Sequence, residues 1–118
     1  MTGQRTVTVP TLDRGDITIP EPAWCAGHQD QPTEAFVDLS HRGPEHQLGD
    51  PTDPIAVAFV SQFPHGTTRR ETGLYVEQTG LAITLDPNEV ERLAADFTTA
   101  EGQLRRLAAW LRILRGGA

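Results

Sequence analysis

The last third of the chain carries the pattern of one long helix, which requires a fold with a surface for that helix to cover. In "LDPNEVERL", Asp86 suits the N-cap, Pro87 suits the first helical position and Glu89 completes a capping box. Apolar residues then recur at helical spacing, and Gly116 supplies a stop. The pattern predicts a C-terminal helix over residues 86–115.

Gly102 interrupts this pattern, so two helices with a break near 99–102 are the alternative to one. A single helix of this size is about 45 Å long, which exceeds what a small sheet can cover. Its leucines alternate by three and four residues, as in the seam of a coiled coil. We therefore expect the excess apolar surface to bind a protein partner or a second copy in a homodimer. The seam consists of Leu104, Leu107, Leu111 and Leu114.

Short alternating or apolar runs predict strands in the earlier part of the chain. "RTVTV" and "DITI" predict a first pair joined through "PTLDRG", with residues 1–12 as an N-terminal strand or arm. Residues 55–85 form the predicted sheet core: "IAVAFVSQF" is its central strand, and "LYVEQ" and "LAITL" flank a hairpin turn at Thr79–Gly80. If "EAFVDLSH" is extended, one of its faces carries Ala35, Val37, Leu39 and His41.

Residues 20–54 are predicted to be a loop-rich segment, because Pro, Gly and Asp are frequent there. "HRGPEHQLGDPTDP" in particular predicts an irregular loop. Strands followed by a terminal helix indicate an α+β fold, a small antiparallel sheet of about four to six strands packed by the long C-terminal helix. The length of 118 residues predicts a single domain over 1–118.

Composition argues against several classes of protein. No run approaches the roughly 20 apolar residues that span a bilayer, and we expect no membrane partner. The single cysteine cannot form an internal disulfide, which favours a cytoplasmic protein. A net charge of −6 makes nucleic acid an unlikely partner, since such binding needs a basic surface.

The stretch "PAWCAGHQD" begins a cluster of metal-ligand residue types with the spacing C-x2-H-x12-H-x4-H. Zinc takes thiolate and imidazole ligands, commonly as a close pair joined to others by a longer loop. We predict a structural zinc site with Cys25, His28 and His41 as ligands and His46 as the fourth. Asp30 or water could replace His46. The Gly-Pro step between the last two histidines excludes the helix that a zinc finger requires.

Two other roles for Cys25 remain open in the sequence. It can pack as a small buried hydrophobe beside Trp24, with the histidines capping turns. It can also be a reactive thiol with His28 or His41 as its base, and Cys25 or a three-ligand zinc site would then belong to an enzyme. No residues mark an oxyanion hole, and the sequence favours a non-enzymatic protein.

The motifs "PAWCAGH" and "DLSHRGPEH", an apolar strand and the helix beginning "LDPNEVERLAADF" resemble a family of short actinobacterial proteins known only as a domain of unknown function. The resemblance extends over about residues 5–115 and implies a cytoplasmic actinobacterial protein in which the Cys25, His28 and His41 side chains act together. It supplies no activity. The motif W-C-x-x-H with H-x-G-P falls on Trp24, Cys25, His28, His41, Gly43 and Pro44.

The sequence thus favours a small non-enzymatic protein-binding or regulatory module with a zinc-ordered Cys/His loop and a helix that self-associates or docks. The enzyme described above is the first alternative. A nucleic-acid-associated regulator is the second, and it would use the basic end of the last helix. That end carries Arg105, Arg106, Arg112 and Arg115.

Overall fold

A computed structural model of the protein describes residues 5–80 and 82–116. These residues form an α+β fold with two small antiparallel sheets and one long C-terminal helix, as the sequence predicted. The chain divides into two compact units, one of residues up to 44 together with 60–73, the other of residues 45–59 together with 74 onwards. The single domain predicted over residues 1–118 stays a prediction.

The first unit begins with a hairpin of β1 (Thr6–Thr11) and β2 (Gly15–Pro20), which confirms the predicted pair. Gly15 closes the turn with φ of +65°, a conformation that favours glycine. Because side chains alternate between the two faces of a strand, every second residue of β1 and β2 points towards a small core. The buried apolar members of that core are Val9, Ile19 and Leu39.

The segment "EAFVDLSH" forms a 3₁₀ turn over Phe36–Asp38, so the predicted extended face is wrong. The alternation of apolar and polar residues favours a strand here, but contacts with distant residues stabilise the 3₁₀ turn. The side chain of Asp13 accepts a hydrogen bond from the Phe36 N–H at 2.9 Å, and the Phe36 ring stacks on His65 with a centroid separation of 4.1 Å. The guanidinium of Arg14 lies 4.0 Å from the centroid of the same ring.

The predicted irregular loop after residue 40 contains two strands, which corrects the description of residues 20–54. These are β3 (His41–Arg42) and β4 (His46–Asp50), and both pair antiparallel with β5 (Asp53–Gln62). The Asp50 side chain accepts hydrogen bonds from the Thr52 N–H and hydroxyl, each at 2.9 Å, and so organises the turn between β4 and β5. Gly and Pro therefore mark turns and strand ends here.

The predicted central strand is confirmed, because β5 lies between β3 and β4 in the four-stranded sheet. Its fourth member, β6 (Gly73–Gln78), also pairs with β5. The predicted hairpin at Thr79–Gly80 is wrong: residues 82–85 form no strand, and Leu81 lies outside the described residues. The N–H of Thr79 instead donates to the carbonyl of Ile55 at 3.2 Å, which ties the end of β6 to β5.

In the second unit, α1 (Pro87–Leu114) packs on β4 and β5 and is a single helix. Asp86 and Glu89 form the predicted capping box, and Gly116 has φ of +75° just past the helix. Gly49, with φ of +89°, allows α1 to approach β4, because an added Cβ there would lie 3.3 Å from the Cβ of Asp96. The buried core residues are Leu48, Ala56, Ala58, Ala100 and Leu107.

Within residues 5–80 and 82–116, no helix combines the length and the apolar character needed to cross a membrane.

Candidate metal centre

Four side chains of the first unit converge on one buried point. Glu21 directly follows β2, Cys25 and His28 lie in the loop after it, and His41 is the first residue of β3. Each offers one ligand atom, and these atoms all lie within 4.8 Å of one another. The exposed fractions of the four residues run from 2% to 11%. The cluster is therefore almost closed to solvent.

Backbone hydrogen bonds hold the loop in this position. The N–H of Glu21 donates to the carbonyl of Arg5 at 2.7 Å, and the N–H of Cys25 donates to that of Pro22 at 3.0 Å. The N–H of Ala26 donates to the carbonyl of Arg42 at 2.8 Å, which fastens the loop to β3 and brings Cys25 beside His41. The loop is thus fixed at both ends by backbone groups.

All six separations between ligand atoms are within 4.8 Å, and three of them can be compared with those around a tetrahedral ion. Oε1 of Glu21 lies 3.0 Å from Nε2 of His28 and 2.9 Å from Nδ1 of His41, and Sγ of Cys25 lies 3.6 Å from Nε2 of His28. Zinc bonds of about 2.0–2.3 Å place neighbouring ligand atoms roughly 3.3–3.7 Å apart. Small adjustments of the carboxylate would bring the group to that geometry.

Gln31 orients the ring of His28. Its Oε1 lies 3.0 Å from Nδ1, and this acceptor favours a proton on Nδ1. Nε2 faces Cys25 and Glu21: it donates to Oε1 of Glu21 at 3.0 Å when it carries a proton, and it would present its lone pair to a bound metal ion. An outer hydrogen bond of this kind is the usual device that fixes the tautomer of a metal-binding histidine.

His41 carries a buried nitrogen without a hydrogen-bond partner. Its Nδ1 lies 2.9 Å from Oε1 of Glu21, but the direction of approach does not meet hydrogen-bond geometry, and the atom is orphaned at the centre of the cluster. Buried polar atoms are rarely left unpaired in folded proteins, because the loss of hydration is costly. A cation at the centre of the cluster would give this nitrogen a partner.

The protonation of the cluster follows from its burial and its internal contacts. Burial raises the pKa of the Cys25 thiol, although hydrogen bonds from the backbone of Gly27 and Arg42 favour the thiolate. Burial also lowers the pKa of His41, which keeps the imidazole neutral and able to bind a metal. Burial opposes ionisation of Glu21, but its hydrogen bond to His28 holds the pKa of that carboxyl below its usual value.

Trp24 and Gly43, two other residues of the motif, pack behind the cluster. The Trp24 ring meets that of His41 edge-on, with centroids 6.2 Å apart. A Cβ added to Gly43 would lie 3.3 Å from the carbonyl oxygen of Trp24 and 3.6 Å from its ring. Gly43 is therefore the residue that lets Trp24 lie close to β3.

The structure brings together three of the four ligands predicted from sequence, Cys25, His28 and His41. His46 is not in this group. It lies on β4 in the second unit, where its ring meets that of Trp110 at a centroid distance of 6.5 Å. Asp30, the other candidate, is exposed and is also outside the group.

Glu21 is the member of the cluster that sequence reasoning missed. The signal available was a carboxylate between two prolines, four residues before Cys25 and directly after an alternating strand. A glutamate is seldom buried unless it is paired, but burial is not visible in the sequence. The spacing of cysteine and histidine residues therefore did not indicate Glu21 as a ligand.

One buried thiol, two imidazoles and one carboxylate can together hold a divalent cation. All four positions of a tetrahedron would be occupied by protein atoms, which is the arrangement of a structural site. No curated protein and no solved structure matches the chain significantly. A family model described as a domain of unknown function (DUF6907) matches residues 6–112, which include all four members of the cluster. The chain therefore belongs to this family of uncharacterised domains.

Proposed function

We propose that the protein is a small non-enzymatic binding module whose first unit is held together by a structural zinc ion. Glu21, Cys25, His28 and His41 are the proposed ligands. The observation that carries this proposal is the buried convergence of four ligand atoms, one of which, Nδ1 of His41, has no hydrogen-bond partner. A cation at their centre would satisfy all four at once.

Zinc fits this set of atoms better than the other common biological cations. Calcium and magnesium take six or more oxygen ligands, and the cluster offers only the carboxylate of Glu21 as an oxygen donor. Thiolate and imidazole in tetrahedral arrangement are typical of zinc. The ion would supply charge neutralisation and cross-linking, since it joins the segment after β2 to the start of β3.

The burial of the cluster favours a structural role over catalysis. A catalytic zinc keeps one position open for water or substrate, whereas here the fourth position is filled by Glu21. The same burial argues against the alternative of a nucleophilic Cys25, because the thiol is only 7% exposed and its pKa is raised.

Binding of a protein partner is supported by the surface of α1. Val90 and Phe97 are more than half exposed, and Leu104 is 39% exposed. Isolated apolar residues are common on protein surfaces, but rows of them along one helix are typical of interaction sites. The binding function proposed here is therefore assigned to the helix, and the metal to the stability of the first unit.

The test is the zinc content of purified, untagged protein by elemental analysis, with variants that separate the two candidates for the fourth ligand. We expect about one zinc per chain, as for a tetrahedral structural site. Cys25→Ser should abolish binding. Glu21→Gln should weaken zinc binding at least about tenfold in competition with a chelating dye, because perturbed zinc sites commonly lose 10–100-fold in affinity. His46→Gln is the matched control and should bind like the wild type.

Three results would contradict the proposal. Correctly folded wild-type protein that neither contains zinc nor takes it up would leave Cys25 as a packing residue. Rapid labelling of Cys25 by a thiol reagent in the zinc-loaded protein would favour the enzyme with a reactive cysteine instead. Loss of zinc in His46→Gln but not in Glu21→Gln would return the fourth position to His46.

A further inference from the structure

Three exposed apolar residues of α1 form one row. Val90, Phe97 and Leu104 are spaced by seven residues and are 51%, 58% and 39% exposed. Leu111 continues the row at the same spacing and is half-buried. Seven residues are nearly two helical turns, so successive members are displaced by only about 20° around the helix. The buried residues that face the sheet, Ala100 and Leu107, lie about 60° around the helix from Phe97 and Leu104 and so flank the row.

The charges of the same helix are divided evenly about its midpoint. Residues 86–100 carry four acidic residues and one arginine, a net charge of −3. Residues 101–115 carry four arginines and one glutamate, a net charge of +3. The helix dipole adds partial charges of the opposite sign, positive at the start and negative at the end, which the side chains complement. Counted around its whole circumference, α1 thus has an acidic half and a basic half, with Asp96 of the acidic half lying against Gly49 of β4.

The apolar row and the charge pattern share one centre. The midpoint between Val90 and Leu111 falls between residues 100 and 101, and the charge changes sign close to it, between Glu101 and Arg105. A twofold axis through this point would place Val90 of one copy opposite Leu111 of the other, and Phe97 opposite Leu104. It would also place the acidic half of each helix beside the basic half of its partner.

We infer that the protein forms a homodimer in which two α1 helices pair antiparallel through the row Val90, Phe97, Leu104 and Leu111. The inference rests on the proposed binding function of the helix and names its partner, a second copy of this chain. A parallel pair would place like charges side by side along the whole helix, which is unfavourable. In the antiparallel pair a twofold axis perpendicular to the helices makes the same surface of both copies complementary in charge.

The length of the row is adequate for such an interface. Val90 and Leu111 are 21 positions apart, which is about 32 Å along the helix axis. Two small residues lie beside the row. Ala94 follows Val90 by four residues, and Ala108 follows Leu104 by four residues, so each is a neighbour on the helix surface. They would allow the two helices to approach closely.

The first test is the mass in solution by light scattering of the zinc-loaded full chain, over a range of concentrations. We expect twice the chain mass of 12.9 kDa. The double variant Phe97→Glu, Leu104→Glu should halve that mass and keep its helical circular dichroism, because both side chains are exposed in the single chain. Ile113→Glu is the matched control. Ile113 is 68% exposed on the same helix but lies about 160° around it from Phe97, so this variant should stay dimeric.

The second test determines the orientation by disulfide cross-linking under mild oxidation. Val90→Cys and Leu111→Cys proteins, mixed and re-equilibrated, should form a covalent dimer between the two variants, whereas Val90→Cys alone should give little. The wild type is the control, because its Cys25 is buried and should not cross-link.

A wild-type chain that is monomeric at all concentrations would overturn the inference, and so would a dimer unaffected by Phe97→Glu, Leu104→Glu. Efficient cross-linking of Val90→Cys with itself would establish a parallel pair and refute the antiparallel register. None of these results changes the zinc content. Failure of the dimer is therefore distinguishable from failure of the metal site.

Discussion

Gly43 is the residue on which the packing behind the cluster depends most directly. Trp24 lies against its backbone, and the N–H of Gly43 donates to the carbonyl of Val60 at 2.8 Å. The close contact involves the backbone oxygen of Trp24, which cannot move aside as a flexible side chain could. A larger residue would therefore displace the segment that carries Cys25.

We predict that Gly43→Ala lowers the free energy of unfolding by about 1–3 kcal/mol, the usual cost of overpacking a tight site. Urea denaturation of the zinc-loaded protein measures it. Gly73→Ala is the matched control, because an added Cβ there meets no atom within 4 Å. The control should be neutral or stabilising by up to about 1 kcal/mol, since alanine restricts the unfolded chain. Equal losses in both variants would show that the Trp24 contact is unimportant.

Among the residues of the cluster, three could be predicted from the sequence and the fourth could not. Cys25, His28 and His41 are recognisable because cysteine and histidine are uncommon and their spacing has a meaning. Glu21 is one of 16 acidic residues in the chain, and nothing in its sequence neighbourhood distinguishes a buried carboxylate from an exposed one. His46 has the right chemistry, but β4 carries it to the second unit.

At the level of secondary structure, the side chain of Gln103 joins α1 to β4, a contact that the sequence did not predict. Oε1 of Gln103 accepts a hydrogen bond from the Gly49 N–H at 2.8 Å, and its Nε2 donates to the carbonyl of Gln47 at 2.9 Å. The strand register shifts between Leu48 and Gly49, so these backbone groups lie at an irregularity of the sheet. The side-chain amide of Gln103 thus forms a hydrogen bond with each of two backbone groups of β4 beside the irregularity.

We predict that Gln103→Ala lowers the free energy of unfolding by about 1–3 kcal/mol, because a part-buried donor and acceptor lose their partner. Gln103→Glu should be at least as destabilising, since its carboxylate can accept from the Gly49 N–H but lies against the Gln47 carbonyl oxygen and cannot donate to it. Thr98→Ala, on an exposed part of the same helix, is the control and should change stability by less than about 0.5 kcal/mol. Thermal denaturation of the three variants makes the comparison. A Gln103→Ala protein as stable as the control would contradict the role given to this amide.

For the whole molecule, the two units differ in what holds them together. The second unit has a core of five buried residues between α1 and the sheet. The described residues of the first unit also bury five apolar side chains, but only Val9, Ile19 and Leu39 form one cluster, and the loop after β2 contributes only Cys25. Burial of one small side chain offsets only a small part of the entropy of ordering that loop. A metal ion is the proposed remaining source of stability.

We therefore predict that a strong chelator unfolds the first unit and leaves α1 helical. Removal of a structural metal ion withdraws its binding free energy from folding, while the second unit keeps its own core. Amide hydrogen exchange should show loss of protection in β1 and β2, with helical circular dichroism nearly unchanged. The Cys25→Ser protein is the control and should not respond to the chelator. Unchanged protection of the wild type after metal removal would show that the apolar contacts of the first unit suffice.

The sequence by itself determined the features that depend on near neighbours. The capping box of Asp86 and Glu89 and the stop at Gly116 act within a single turn, so α1 could be placed to within a residue or two. The β1–β2 hairpin is also local. Its strands alternate, and its turn needs only a few residues with a glycine at positive φ.

The tertiary structure alone decided which distant segments meet. β4 lies in a Gly- and Pro-rich stretch and was not predicted. It is a strand because it pairs with β5, and its composition gives no sign of this. β6 pairs with β5 although the sequence after Gly80 offered a closer partner. The convergence of Glu21 with His41 likewise joins residues 20 positions apart. Such choices depend on the total free energy of burial, pairing and loop closure, which no short window of sequence contains.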